Sequence, residues 1–342
     1  MKGGFALRKS KNTEGRHAAR VGLLLAALLF LLPVFTVTAV RGQRASEQPE
    51  EPIQLLPPGE VDSARTLRVL DGDTITEMTF SDYLQGVLRA EMPASFAQDA
   101  LCAQTVAART YTYYKMQNGG NHGDTADICT DHTCCQAFLG KDRAAENWGK
   151  NAERYEAKIE NAVSATDGQV MLYGGTPILA VFHSSSAGET WNSGQVWAQD
   201  LPYLQSVSSP EGEGVPNYYS TVELTEAEFR EKFLAARPEA DLSGPASGWI
   251  RDPVMDGVHV ESITIGGVSV SGPSVRSIFG LRSASFTAEA GDGKITFYVT
   301  GYGHGVGLSQ YGANAMAEAG STWREILEHY YTGVTIGTWT GA

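Results

Sequence analysis

Residues 81–93 read Ser81-Asp-Tyr-Leu-Gln-Gly-Val-Leu-Arg-Ala-Glu91-Met-Pro93, and their spacing predicts an amphipathic helix that ends at an acid. Leu84, Val87 and Leu88 recur on one face of this helix, and Glu91 continues the same face. We therefore expect the carboxyl group of Glu91 to point toward apolar surroundings.

The position of Glu91 along the helix also bears on its chemistry. Ser81 or Asp82 is a plausible N-cap, and Pro93 disfavours continuation of the helix, so Glu91 is predicted to lie in the last turn. Burial and the negative end of the helix dipole both raise a carboxyl pKa. A glutamic acid that keeps its proton near neutral pH can act as a general acid, as in the cleavage of a glycosidic bond.

A second helix is predicted over residues 100–114, and the short connection between the two helices requires them to pack closely. This helix carries Gln104 and Arg109, which are candidates for substrate binding. Arg109 is expected to face Glu91 or the substrate. The structural alternatives are an ion pair of Glu91 with Arg89 or Arg109, and an arginine on a solvated helix face.

The N-terminal segment predicts a membrane anchor. Residues 1–20 are strongly basic, and residues 21–40 form an uncharged stretch of about the length that crosses a bilayer. The basic flank predicts a cytoplasmic N-terminus in a single-pass membrane protein, with everything after Arg41 extracytoplasmic. A signal peptide cleaved after Ala39 is the alternative. Residues 41–65, rich in proline and acids, predict an extended linker.

The chain beyond the predicted anchor is acidic. Without residues 1–44 it keeps 18 basic and 38 acidic residues, a net charge of −20. Such a surface repels phosphate backbones, so nucleic acid is not expected as a partner. Helical signals followed by strand signals predict an α+β region over residues 66–342, with two lobes and a central cleft.

A metal site is predicted in the loop that follows the second helix. The loop contains three of the four cysteines, and the expected ligands are His122, Cys129, Cys134 and Cys135, with His132 as a competitor. Thiolates and imidazole are zinc ligands, and four protein ligands would make the site structural. The alternative is a disulfide between Cys129 and either of the adjacent cysteines, which an extracytoplasmic location permits.

Polar residues in a small-residue loop follow the predicted strand at 177–182, and they suit sugar hydroxyls and acetamides: His183, Ser184, Ser185 and Ser186. A serine nucleophile with a base is a weaker interpretation, because the Gly-x-Ser-x-Gly elbow is absent.

A glycine-rich loop near the C-terminus opens a further helix that is predicted to end near Gly320. The alternating glycines permit close approach of a ligand, and their spacing fits neither a dinucleotide fingerprint nor a phosphate loop. The candidate binding residues of this loop are His304, Gln310 and Tyr311.

Together, six segments resemble the stage II sporulation protein D family in order and spacing, and the resemblance extends over roughly residues 66–337. The segments are residues 84–93, 100–111, 182–190, 196–204, 303–313 and 326–331. The resemblance implies a membrane-anchored peptidoglycan lytic transglycosylase that acts during forespore engulfment on glycan strands without stem peptides. It also implies the amidase stage II sporulation protein P and the membrane protein M as partners.

The resemblance also assigns site residues. Glu91 matches the catalytic glutamate, and the four predicted metal ligands match the positions that bind zinc in some members. The implied reaction leaves a 1,6-anhydro end and needs no cofactor for its chemistry. One departure is Cys102, which replaces a lysine common in the family. A wall-binding enhancer of a partner amidase and a zinc-dependent wall hydrolase are the alternative functions.

Overall fold

The computed structural model describes residues 53–118, 122–123 and 125–341, and these residues form a mixed α and β fold with several small sheets. The helices are α1 (Glu60–Ala64), α2 (Phe80–Glu91), α3 (Gln98–Gln117), α4 (Lys141–Trp148), α5 (Ala152–Ala165), α6 (Ser193–Val196), α7 (Glu226–Ala236), α8 (Gly272–Phe279), α9 (Gln310–Glu318) and α10 (Trp323–Tyr330). The predicted α+β class is confirmed.

The strands are short and are distributed over five small sheets in the described ranges. They are β1 (Thr66–Asp71), β2 (Thr74–Thr79), β3 (Ile128–Cys129), β4 (Gln169–Tyr173), β5 (Thr176–Pro177), β6 (Phe182–His183), β7 (Tyr219–Thr225), β8 (Ile250–Asp256), β9 (His259–Ile265), β10 (Val268–Ser271), β11 (Phe286–Gly291), β12 (Lys294–Thr300), β13 (Leu308–Ser309) and β14 (Thr335–Thr338). The sheet orders are β2-β1-β3, β10-β9-β8, β11-β12-β7, β13-β6 and β14-β4-β5. The parallel pair of β6 and β13 brings the loop of residues 183–186, called the serine loop below, next to the glycine-rich loop that precedes α9.

No helix within the described ranges has both the length and the apolar composition needed to span a membrane. The predicted anchor at residues 21–40 lies outside the described residues.

Helix α2 begins and ends close to the predicted positions. Its N-cap is Thr79, whose hydroxyl accepts a hydrogen bond from the backbone N–H of Asp82 at 3.0 Å. Neither Ser81 nor Asp82 is the cap, because both lie in the first turn of the helix. The backbone becomes extended at Met92, immediately before Pro93, and Glu91 is therefore the last helical residue.

Helix α3 is the centre of the fold. It is buried on nearly every side and contacts α2, α5, α9, α10 and β4. Small residues such as Ala100, Ala103 and Ala107 permit these neighbours to approach closely. Cys102 is 3% exposed in the same core, and burial raises its pKa to about 12, as expected for a thiol that serves only in packing.

Residues 219–300 have a hydrophobic core of their own. Stacked rings dominate it, with Phe229 and Phe279 at a centroid separation of 4.6 Å. This part contacts the rest of the fold through Trp191, which stacks on His259 at 4.6 Å and donates a hydrogen bond to Asp256 at 2.9 Å.

The segment before β1 is packed against the body. Helix α1 lies within the residues assigned to the predicted linker, and its Asp62 is 1% exposed. Asp62 binds the fully buried guanidinium of Arg109, with Nη2 to Oδ2 at 2.6 Å and Nε to Oδ2 at 3.0 Å. Arg109 Nη1 also donates to the Gln169 carbonyl at 3.0 Å. This ion pair joins α1, α3 and β4.

Removal of one partner of this pair should be strongly destabilising. We expect Asp62→Ala to lower the free energy of unfolding by about 3–5 kcal/mol, because it leaves the Arg109 charge buried and unpaired. Lys294→Ala removes the exposed Lys294–Glu223 pair and should cost less than about 1 kcal/mol. Urea denaturation measures the free energy of unfolding of both variants. An equal loss in the two would contradict the assignment of Arg109 to a buried ion pair with Asp62.

Candidate active site

Glu91 lies where the C-terminus of α2 meets two other segments. Its Oε1 accepts a hydrogen bond from the backbone N–H of Ala137 at 3.0 Å. The side-chain amide of Gln310, the first residue of α9, also hydrogen-bonds the carboxyl group. Gln310 is buried and Glu91 is partly buried. The carboxyl group is therefore held by two neutral donors from different parts of the chain.

Burial raises the pKa of Glu91 above its ordinary value, and the hydrogen bonds from Ala137 and Gln310 oppose this effect only in part. Neither arginine proposed as an ion-pair partner contacts the acid. Arg89 binds Glu156, with Nη2 to Oε1 at 2.5 Å and Nε to Oε2 at 3.0 Å. Arg109 binds Asp62. The predicted raised pKa is thus confirmed, and it comes mainly from burial.

The backbone N–H of Ala137 is fixed by its neighbours. Leu139 N donates to the carbonyl of Gly86, in the middle of α2, at 2.9 Å. The ring of Phe138 lies against Gly86, and a Cβ atom at that position would overlap with it. Gln136 Nε2 donates to Thr112 Oγ1 of α3 at 3.0 Å. The loop that supplies a donor to Glu91 is therefore anchored on both α2 and α3.

Three of the predicted binding residues lie together near Glu91. Gln310 contacts the acid directly, and the adjacent Tyr311 donates its backbone N–H to the Ser184 carbonyl at 3.0 Å. The Tyr311 ring packs edge-on against Phe96, in the connection that follows α2, at a centroid separation of 4.9 Å. The start of α9 thus places Gln310, Tyr311 and the serine loop beside Glu91.

The other residues of the serine loop face the interior. His183, Ser185 and Ser186 are 5%, 3% and 2% exposed. His183 Nδ1 lies 3.2 Å from the Val306 carbonyl and therefore carries the proton, so Nε2 accepts the Ser186 hydroxyl at 2.7 Å. Burial lowers the pKa of His183 well below its ordinary value. This serine–histidine pair supports the loop, because Ser186 is too buried to attack a substrate.

His304 also uses both ring nitrogens within the protein. Nε2 donates to the Phe182 carbonyl at 3.0 Å, and Nδ1 accepts from Val306 N at 3.1 Å. Burial lowers its pKa to about 4. Its ring lies 5.1 Å from that of Trp197, which is 37% exposed. Trp197 lies in the segment 196–204, one of the six that resemble the family. Its ring is an accessible aromatic surface next to His304.

Two predicted binding residues are placed elsewhere. Arg109 does not face Glu91 or solvent, because its guanidinium is fully buried in the ion pair with Asp62. We therefore assign it a structural role. Gln104 is also fully buried, and neither of its amide atoms has a hydrogen-bond partner in the described part of the chain.

Glu211 is a site residue that the sequence did not single out. It is 7% exposed and accepts hydrogen bonds from the backbone N–H of Ser186 and from the hydroxyls of Ser209 and Ser309. In the sequence it lies in an acidic, glycine-rich stretch with the pattern of a solvated loop. No local signal distinguishes it, because its partners come from distant segments.

The four predicted metal ligands form one cluster. The donor atoms of His122, Cys129, Cys134 and Cys135 lie within 4.8 Å of one another. Nε2 of His122 is 3.5 Å from the Cys134 sulfur and 3.6 Å from the Cys135 sulfur. Tetrahedral zinc with Zn–S near 2.3 Å and Zn–N near 2.0 Å places donors roughly 3.5–3.8 Å apart. The donor set and its spacing fit that ion.

The alternatives for this loop do not match its geometry. His132 is not in the cluster, and its side chain is 77% exposed. All four cysteines of the described region are free thiols, so the alternative disulfide of Cys129 with Cys134 or Cys135 is not formed in this structure.

The raised pKa of Glu91 has a consequence for stability. Since the folded-state pKa lies above the ordinary value of about 4.3, the contribution of Glu91 to stability is present below that pH and is lost as pH rises through the folded pKa. Glu91→Gln removes this titration. The free energy of unfolding of the variant, relative to wild type, should therefore increase with pH.

Urea denaturation between pH 4 and pH 8 measures this difference. Glu325→Gln is the matched control, because hydrogen bonds from the Thr322 backbone and hydroxyl lower the pKa of Glu325 and the trend should reverse. A pH-independent difference for Glu91→Gln would show that its pKa is not raised.

Comparison with known proteins gives the family. The family model described as "Stage II sporulation protein" matches residues 71–173. Stage II sporulation protein D of Bacillus amyloliquefaciens is 36% identical over 264 residues, which are 77% of this chain and 75% of that protein. Stage II sporulation protein D of Bacillus subtilis (strain 168) is 35% identical over 264 residues, 77% of this chain and 76% of that protein.

A further relative has a different name. The amidase enhancer of Bacillus subtilis (strain 168) is 31% identical over 306 residues, and the match covers 74% of this chain and 40% of that protein. The two proteins named stage II sporulation protein D match over about three quarters of their own length. This chain therefore belongs to the stage II sporulation protein D family.

Proposed function

We propose that this protein is a sporulation-specific peptidoglycan lytic transglycosylase that cleaves the bond between N-acetylmuramic acid and N-acetylglucosamine in peptide-free glycan strands. The observation that supports the proposal most directly is the state of Glu91. Its carboxyl group has a raised pKa and is held by two neutral donors, and no arginine or lysine of the described ranges pairs with it. A raised pKa favours the protonated form that a general acid requires.

The same carboxyl group can serve both halves of the reaction. Protonated Glu91 donates to the oxygen that links the two sugars, and the bond from that oxygen to C1 of the muramoyl residue breaks. The Glu91 carboxylate then takes the proton of the muramoyl C6 hydroxyl, and that oxygen bonds to C1. The products are a 1,6-anhydro end and a free hydroxyl on the leaving sugar, and water is not consumed.

No acidic side chain among the described residues acts on the carboxyl group of Glu91, and this supports an intramolecular nucleophile. Most glycoside hydrolases pair two carboxyl groups, one of them to act as nucleophile or to activate water. The Glu91 carboxyl group is instead bonded by the backbone N–H of Ala137 and the side-chain amide of Gln310. Gln310, Tyr311 and Ser184 are then available to orient the glycan, and Trp197 offers a ring for stacking on a sugar.

The remaining predictions become part of the same proposal. Residues 21–40 would anchor the protein in the cell membrane with residues 1–20 in the cytoplasm. The region after Arg41 would then face the peptidoglycan, where stage II sporulation proteins P and M are the expected partners.

The likeness to the amidase enhancer favours a second candidate, a wall-binding enhancer of a partner amidase without cleavage of its own. The two functions differ in their products. The purified region after Arg44 is incubated with peptide-free glycan strands, and mass spectrometry identifies the new ends. We expect 1,6-anhydromuramoyl ends from wild type and a rate about 10²–10⁴-fold lower for Glu91→Gln.

The rate should fall as pH rises through the pKa of Glu91, because the proton donor is lost. Glu325→Gln, an exposed acid remote from the carboxyl group, should match wild type. Reducing ends would indicate hydrolysis by water. No cleavage by wild type would reject the transglycosylase and favour the enhancer.

We also propose that His122, Cys129, Cys134 and Cys135 bind a structural zinc ion. Four protein ligands leave no open position for catalysis, which argues against a zinc-dependent hydrolase. When bound, the ion would supply a fixed crosslink of the loop. Because Ala137 is two residues beyond Cys135, the crosslink would also fix the backbone N–H that binds Glu91.

Loss of one ligand tests this role. Cys134→Ser should lose bound zinc, as measured by elemental analysis, and should lower the melting temperature and the cleavage rate. Cys102→Ser changes a buried cysteine outside the cluster and should keep one zinc per chain. Full zinc content in Cys134→Ser, or purified wild type without zinc, would contradict the assignment.

A further inference from the structure

Glu211 connects three parts of the chain: the serine loop, the segment around Ser209 and the start of α9. Its Oε1 accepts the backbone N–H of Ser186 at 2.5 Å and the hydroxyl of Ser309. Its Oε2 accepts the hydroxyl of Ser209, which lies 2.7 Å from the hydroxyl of Tyr330 in α10. A carboxylate accepts hydrogen bonds at both oxygens and donates none, so it suits three donors that converge on one buried point.

One of these donors determines where α9 begins. Ser309 is the N-cap of α9, and its oxygen accepts the backbone N–H of Gly312 at 3.2 Å while its hydroxyl donates to Glu211. The next residue is Gln310, whose side chain binds the Glu91 carboxyl group. The orientation of Gln310 thus depends on a cap that Glu211 holds in place.

The packing around this contact leaves little freedom. Gly312 lies against the same cluster, and a Cβ atom there would overlap with Tyr330 Oη and Ser209 Oγ. On the other side, Tyr311 N binds the Ser184 carbonyl, and Ser184 belongs to the loop that Glu211 holds through Ser186. A shift of the Glu211 carboxylate would therefore move the first turn of α9 and the serine loop together.

We propose that Glu211 is a positioning residue that fixes the first turn of α9 and thereby holds Gln310 against the carboxyl group of Glu91. Glu211 acts through Ser309 and Gln310 and itself takes no part in proton transfer. This inference rests on the proposed function of Glu91, and its test includes two measurements that need no substrate.

The main variant is Glu211→Ala, which removes the acceptor of the Ser186 N–H and leaves the Ser309 hydroxyl with only the Ser184 carbonyl at 3.5 Å. The backbone amides of Tyr311 and Gly312 should exchange with solvent at least about tenfold faster, because their partners depend on this arrangement. The Glu91 pKa, read from a ¹³C titration, should rise, since the hydrogen bond from Gln310 favours the ionised form. On glycan strands, kcat should fall about tenfold or more, with KM changed less than threefold.

Glu211→Gln should restore most of these values. Its amide oxygen can accept from Ser186 and Ser309, and its amide nitrogen can donate to Ser209. Glu228→Gln is the control, because the partner of this exposed acid is Thr225 at the start of α7, and it should leave amide exchange at Tyr311 and Gly312 unchanged. If Glu211→Ala does not fold, Ser309→Ala interrupts the same connection and should change exchange at Gly312 and kcat in the same way.

The outcomes separate this inference from the proposed function. Wild type without activity would reject the transglycosylase, while amide exchange and the Glu91 titration would still decide the role of Glu211. Unchanged exchange together with an unchanged Glu91 pKa in folded Glu211→Ala would overturn the positioning role. If kcat fell as much in Glu211→Gln as in Glu211→Ala, the positioning role would also be overturned. The loss of activity would then not come from the loss of these hydrogen bonds, since glutamine can still form them.

Discussion

The burial of most of α3 is the constraint on which the rest of the structure depends. Most polar side chains of a largely buried helix must find partners within the protein, and each such contact fixes a neighbouring element. Gln104 is an exception, because neither of its amide atoms has a hydrogen-bond partner among the described residues. Asp99 accepts the backbone N–H of Trp323 at the start of α10, and Arg109 binds Asp62 in α1. Thr110 accepts the backbone N–H of Met171 in β4, and Thr112 binds Gln136. The polar residues of one helix thus set the positions of its surroundings.

The candidate site depends on this arrangement, and the groups that bind the Glu91 carboxyl group in it are uncharged. The direct partners of the Glu91 carboxyl group are a backbone N–H and a side-chain amide. A strong ion pair would hold the group in its charged form, whereas neutral donors and partial burial leave both protonation states accessible. A group that must first give and then take a proton requires this balance.

Sequence reasoning identified the elements that have a local signal. The apolar spacing around Glu91 and the helix-ending effect of Pro93 predicted the position of the acid, and the spacing of the cysteines predicted the metal cluster. It could not predict partners from distant segments. Periodicity placed Arg109 on a helix but could not show that Asp62, 47 residues earlier, would bind it. The burial of Ser186 and the hydrogen bonds of Glu211 could not be predicted for the same reason, because both depend on segments far apart in the chain.

The contact between Gly86 and Phe138 sets two physical preferences against each other. Glycine within a helix costs about 0.5–1 kcal/mol relative to alanine, so helix propensity alone disfavours this residue in the middle of α2. The bare backbone is nevertheless what allows Phe138 and the Leu139 N–H to reach the helix surface. Helix α2 is therefore less stable than it would be with alanine at position 86. This local loss of stability permits the loop that carries the Ala137 N–H to pack against the helix about one turn before Glu91.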